Sequence, residues 1–279
     1  MKNQKIKKIF AFLSVFFLTA IFIYSKNNSA QNKKIINEYQ NFYCSEDELK
    51  KRKSPYFLFE NPSDWKIQYP SGTIEGGMKS SLITKDFKNK YFSLYKSTEE
   101  KEYIRFSLDA SDKGKSPHGS SVRSELKGNK YWKLKGKHSL SYSFYFDSTD
   151  FSKARFSVGQ IEQICSKKDS PLLRIELFDG QINAIICNYE TDGIKKADGK
   201  AHKYSLGKIR PLEEVSIKIE VQDKNLKIFR DNILTCEHNF HQKVDSTLDN
   251  YFKLGLYYQN KDSPKIFTEV FVNNLKVEI

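Results

Sequence analysis

Apolar and polar residues alternate through most of the chain from Trp65 onward. Leu140, Tyr142, Phe144 and Phe146 stand at every second position, and Leu173, Ile175 and Leu177 alternate with Arg174 and Glu176. Asp179-Gly180 then supplies a turn before Ile182, Ala184 and Ile186. Val215, Ile217, Ile219 and Val221 alternate with Ser216, Lys218 and Glu220, and Asp223-Lys224-Asn225 makes the next turn. A period of two places successive side chains on opposite faces of a sheet, so each run predicts a half-buried strand. The C-terminal FTEVFVNNLKVEI predicts a strand pair or one bent strand. No helical period of similar length competes, and many strands joined by turns predict an all-β sandwich or jelly roll.

The N-terminus has a different pattern. Lys2, Lys5, Lys7 and Lys8 precede the apolar run Ile9–Tyr24, which has the form of an export signal. The run is somewhat short of the roughly 20 residues of a membrane span. Cleavage near Asn28-Ser29-Ala30 and retention as an anchor both stay open. Residues 1–30 are thus assigned as signal or anchor, 31–60 as a linker or arm with a weakly helical stretch from Ile35 to Lys53, and 61–279 as the β domain. Export places the body in a secreted, periplasmic or surface location. The membrane is met only through the N-terminal segment, if that is retained, and the body is expected to be a monomer.

Composition narrows the classes further. With 38% hydrophobic and 14% aromatic residues the chain can build a core, which excludes wholesale disorder. The net charge is +13, and losing residues 1–30 removes five lysines and no acids, leaving +8. For an exported protein this points to an anionic glycan or surface and away from nucleic acid. The four cysteines are Cys44, Cys165, Cys187 and Cys236. An oxidising compartment permits disulfides, and Cys165 and Cys187, flanking a predicted hairpin, are the expected pair. Cys236, His238 and His241 have a zinc-like spacing but no evident fourth ligand, so they are read as loop polar residues.

Three strands present one-sided polar faces. Arg123, Glu125 and Lys127 share a face opposite Val122 and Leu126. Gln160 and Glu162 lie together opposite Ile161. Tyr251, Lys253, Tyr257 and Gln259 share a face with Gly255, and glycine there is expected to leave room for a ligand against the sheet. Each is an ordinary solvated strand when taken singly. Together they offer a set suited to an acidic sugar chain.

RSEL at Arg123–Leu126, GQI at Gly159–Ile161 and YFKLGLYYQ at Tyr251–Gln259 resemble, in order and approximate spacing, the three signature strands of the alginate lyase family, polysaccharide lyase family 7. PSDWKIQYP at 62–70 and PLLRIELFDGQI at 171–182 extend the resemblance to nearly all of the exported body. Related jelly-roll lyases that act on glucuronan or heparin-like chains share parts of the pattern. The resemblance implies a β-jelly roll that holds a uronate polysaccharide on a concave face and cleaves it by β-elimination, without a cofactor. It assigns Arg123 and Gln160 to neutralising the uronate carboxylate and Tyr257 to donating a proton to the leaving O4. Nearby cations would let Tyr257 serve as the base as well. Glu125, Lys127, Tyr251, Lys253 and Gln259 are expected to contact substrate.

The family's second signature reads Gln-Ile-His or Gln-Val-His, where this chain has Glu162. Glu162 is then the base, or an orienting group beside a Tyr257 that is both base and acid, or the mark of a noncatalytic glycan binder. His118, just before the RSEL strand, either substitutes in space for the missing imidazole or, as is usual for a loop histidine, is simply solvated. A glycoside hydrolase would need two carboxylates about 5–9.5 Å apart, and Glu125 with Glu162 is the only pair to nominate.

Overall fold

The computed structural model describes residues 51–71, 77–109, 122–148, 152, 155–258 and 267–279, all within the unit Leu49–Ile279. Two short 3-10 segments, Tyr56–Leu58 and Pro62–Asp64, lead into the strands. The strands are β1 (Trp65–Pro70), β2 (Met78–Leu82), β3 (Phe92–Lys96), β4 (Glu102–Asp109), β5 (Arg123–Gly128), β6 (Lys137–Ser148), β7 (Arg155–Gln163) and β8 (Ser170–Phe178). They continue with β9 (Gln181–Tyr189), β10 (Lys196–Lys208), β11 (Val215–Gln222), β12 (Asn225–Arg230), β13 (Ile233–Asn239), β14 (Asn250–Tyr258) and β15 (Phe267–Glu278). They form two antiparallel sheets. One runs β10-β9-β8-β7-β14-β5-β1-β2, and the other runs β13-β12-β11-β6-β15-β4-β3. This is the jelly-roll sandwich expected from the alternation.

The turns form where the sequence permits left-handed backbone. Asp179 and Gly180 have φ of 50° and 65°, and Asp223 and Lys224 have 48° and 69°. Two consecutive residues at positive φ suit the right-handed twist of a tight hairpin. Asp231-Asn232 makes a third such turn, between β12 and β13. The C-terminal segment is one strand, bent by a register shift between Asn273 and Lys276.

Between the sheets, Phe144 and Phe146 of β6, Ile217 and Ile219 of β11 and Val270 and Val272 of β15 meet Ile161, Leu173, Ile175, Leu254 and Leu256 from the other side. All are essentially buried. Each such side chain contributes on the order of 1.5–3 kcal/mol of hydrophobic stabilisation. Gly159 lets the sheets approach here, because a Cβ at that position would collide with the Tyr142 hydroxyl from the opposite sheet. Residues 53–59, expected to be linker, are packed: Leu94 donates to the Lys53 carbonyl at 2.9 Å, and Phe59 is buried.

The expected Cys165–Cys187 bridge is not present; both are buried free thiols. The register explains why. Cys187 lies on β9 one residue beyond Ile186, the partner of Leu173, whereas Cys165 follows β7 two residues beyond Gln163, the partner of Ser170. The two are offset by roughly four residues along the strands, about 13 Å, and by two strand spacings across them. A disulfide requires Cα atoms within about 7 Å. Cys165 instead donates weakly to the Gln163 carbonyl.

Candidate active site

Core packing on one face of the eight-stranded sheet forces the alternate side chains of β5, β7 and β14 outward together. Antiparallel pairing brings them level: Lys253 stands opposite both Lys127 and Gln160, and Tyr257 stands opposite Arg123. Over this face lies a groove of about 670 Å³. Arg123, Lys127, Gln160, Glu162, Tyr251, Lys253 and Tyr257 all line it. Gln259 and His118 lie outside the described residues, as does the N-terminal segment through residue 50.

Glu125 does not line the groove; it lies beneath it, with its side chain 1% exposed. Its carboxylate accepts from the Gln160 amide nitrogen, with Lys253 Nζ at 3.2 Å and Arg123 Nη1 at 3.5 Å. A substrate contact for Glu125 is therefore replaced by a buried role, fixing three side chains that reach the groove. The same burial removes it as the second carboxylate of a hydrolase pair.

Arg123 meets Glu125 through Nη1. Its Nε is buried and has no hydrogen-bond partner among the described residues. Its guanidinium carbon also lies 4.4 Å from the Tyr257 ring centre, a cation–π contact that fixes the two groups relative to each other. Gln160 is fully buried, with its Oε1 unpartnered and its amide nitrogen turned to Glu125. One of its two N–H donors is therefore already taken.

Glu162 is held differently. Lys253 Nζ is 3.8 Å from Glu162 Oε1, so this lysine lies between two carboxylates. Burial pushes the Glu162 carboxyl above its ordinary range, Lys253 draws it back, and Glu125 pushes it up again. Tyr251 is 3% exposed and donates to Asp169 Oδ2 at 3.2 Å, which ties β14 to the loop after β7. Burial, with Glu162 and Asp169 nearby, raises this phenol far above its ordinary value. Lys127 Nζ sits 4.3 Å from the Tyr251 ring centre, and burial and Lys253 hold its ammonium below the usual lysine range.

The strand motifs did not single out the far wall of the groove. Lys167, Lys168, Asp169, Arg174 and Tyr189 complete it. Arg174 was legible only as a polar position in an alternating strand; on β8 it stands opposite Gln160 of β7. The loop residues had no signal. The loop after β7 is pinned to the loop after β9 by Ser166 N–H to the Thr191 carbonyl at 3.0 Å and by the Ser170 hydroxyl to the Gly193 carbonyl. The groove lining counts six Lys and Arg side chains against two carboxylates, Glu162 and Asp169. That balance suits an anionic chain.

Gly255 does something other than clear the groove. Its φ is +143°, and a Cβ there would fall 2.6 Å from the Ser124 carbonyl oxygen and 2.8 Å from Glu125 Cα. The constraint is close backbone approach to β5, beside a bulge where β14 advances three residues while β7 advances two. Cys236, His238 and His241 do not converge on an ion. Among the described residues, no group of three His, Cys, Asp or Glu side chains is arranged to hold a metal. His238 Nδ1 pairs with the Tyr204 hydroxyl at 3.0 Å.

A family model described as alginate lyase matches residues 59–279. No curated protein matches the sequence. Among solved structures, alginate lyase A1-II', described as a member of polysaccharide lyase family 7, superposes with a TM-score of 0.66 at 21% identity, over 81% of this chain and 98% of that one. Alginate lyase AlyC3 in complex with dimannuronate gives 0.61 at 20% identity, over 81% and 94%. The alginate lyase from Klebsiella pneumoniae gives 0.62 at 16% identity, over 81% and 98%. These likenesses establish the sandwich; the family model, spanning most of the chain, establishes membership. The chain belongs to the alginate lyase family and is a polysaccharide lyase whose substrate is an anionic polysaccharide.

Proposed function

We propose that this protein cleaves a uronate polymer of the alginate type by β-elimination in the groove over β5, β7 and β14, and that the N-terminal apolar segment exports it. The observation that carries the reading is the Arg123 guanidinium lining the groove 4.4 Å from the Tyr257 ring centre, its Nε without a hydrogen-bond partner among the described residues. A guanidinium edge with an unmet donor is complementary to a carboxylate, which it binds through two hydrogen bonds.

The chemical difficulty is that the C5 proton of a uronate is weakly acidic while its carboxylate is charged. Arg123, with the remaining N–H of Gln160, neutralises the carboxylate so that charge developing at C5 spreads onto it. Tyr257 takes the C5 proton and returns a proton to O4 as the C4–O4 bond breaks and a C4–C5 double bond forms. One residue can do both only where the two leaving groups lie on the same face of the sugar. Mannuronate meets that condition and guluronate does not, so mannuronate blocks are the favoured substrate. Lys253, 3.8 Å from Glu162, offsets part of its charge.

Ultraviolet absorbance of the conjugated product tests this. The full-length chain is expected to generate it from polymannuronate faster than from polyguluronate, and Tyr257→Phe to lose at least about a thousandfold of the rate. Substantial activity in Tyr257→Phe would remove this tyrosine from the chemistry.

A further inference from the structure

Among the four charged side chains that meet around Glu125, the charges balance before any substrate arrives. Arg123 and Lys253 supply two positive charges, Glu125 and Glu162 two negative, and their side chains are 14%, 4%, 1% and 11% exposed. A uronate carboxylate docked on Arg123 adds a third negative charge to this screened cluster. An unbalanced charge taken out of water is costly, and the site must neutralise it or bind weakly.

The groups facing Glu162 identify where that can happen. On β14, Lys253 is shared with Glu125, and Tyr251 is committed to Asp169 of the neighbouring loop. On β5, Lys127 is partly exposed and feels both Lys253 and Asp169. Arg123 of β5, whose charge draws Glu162 down, partly exposed Arg174 of β8, Tyr189 of β9 and Cys165 complete the surroundings. Burial pushes Tyr189 up to about 12 and Cys165 up to about 11, so neither changes charge near neutrality. Glu125 has donors on both oxygens. Of the two carboxylates that line the groove, Asp169 already accepts from Tyr251, which leaves Glu162, whose burial favours its neutral form.

We propose that Glu162 takes up one proton as the uronate binds and, as the neutral acid, donates a hydrogen bond to the substrate carboxylate, doing the neutralising work of the histidine that the family motif carries at this position. The proton comes from solvent and returns to it when product leaves, so the elimination itself is unchanged. The neutral acid cannot also be the base, which leaves both proton transfers to Tyr257. The proposal rests on the groove being a uronate site.

Calorimetric titration of the full-length Tyr257→Phe chain with saturated oligomannuronate, in buffers of different ionisation enthalpy, counts the protons taken up. As pH rises above the Glu162 carboxyl's raised value in the free chain, uptake is expected to climb towards one per site, with affinity falling up to about tenfold per pH unit. Adding Glu162→Gln, which keeps the shape and a donor, is expected to abolish the uptake and flatten the pH dependence. Binding without uptake in the Tyr257→Phe chain, or the same uptake after Glu162→Gln, overturns the role of Glu162 while leaving the uronate site standing. Absence of binding by the Tyr257→Phe chain at every pH overturns the site and the proposal with it. Should the double variant fold poorly, uptake that persists in a Tyr257→Phe, Lys127→Gln chain still excludes Lys127, the other groove group whose charge the surroundings disfavour.

Discussion

Three groove side chains take their position from one carboxylate. Gln160, Lys253 and Arg123, which line the groove, all converge on Glu125, which does not. Glu125→Gln leaves two cations facing a neutral amide, and removing one partner of a buried charge cluster costs about 3–5 kcal/mol. Chemical denaturation is expected to show that loss. Steady-state kinetics are expected to show kcat falling at least about tenfold while KM moves little. The loosened Arg123 spoils alignment at the reacting centre, whereas Lys167, Lys168 and Arg174 still hold the chain. A rise in KM alone would make Glu125 a binding residue after all. The alternation put Glu125 on the correct face, but period two reports direction and not depth, so its burial was not legible in the sequence.

At the scale of a strand, β14 is the element whose sequence was read most fully and also partly misread. Phe252, Leu254 and Leu256 fill the core and Tyr251, Lys253 and Tyr257 face the groove, as the pattern implies. Gly255 suggested clearance for a ligand, because a missing side chain looks the same whatever it makes room for. Its positive φ and the nearby Ser124 carbonyl show that it is the backbone that needs the space. Gly255→Ala is therefore expected to cost at least about 2 kcal/mol in stability, from strain and collision together. Thermal unfolding would show the loss even without substrate. Unchanged stability with weakened polymer binding would restore the clearance reading. The Cys165–Cys187 pairing failed for a related reason: cysteines near a hairpin are visible in sequence, but the register that separates them is set by bulges and loop lengths. The loop bearing Lys167, Lys168 and Asp169 was invisible because loop side chains follow no period, and its position depends on hydrogen bonds to a second loop.

Across the whole molecule, charge and architecture point the same way. A basic chain folds into two antiparallel sheets, and the groove side of one collects six cations against two carboxylates. The fold was largely legible, because strand periodicity and paired turn residues are local. The choice of chemistry was legible through three short motifs whose residues only pairing brings together. The central claim is elimination, and product mass tests it most directly. Digestion of polymannuronate by the full-length chain is expected to give oligomers whose new ends are lighter by one water than those of hydrolysis. Products carrying the added water would contradict the account and assign the groove to a hydrolase.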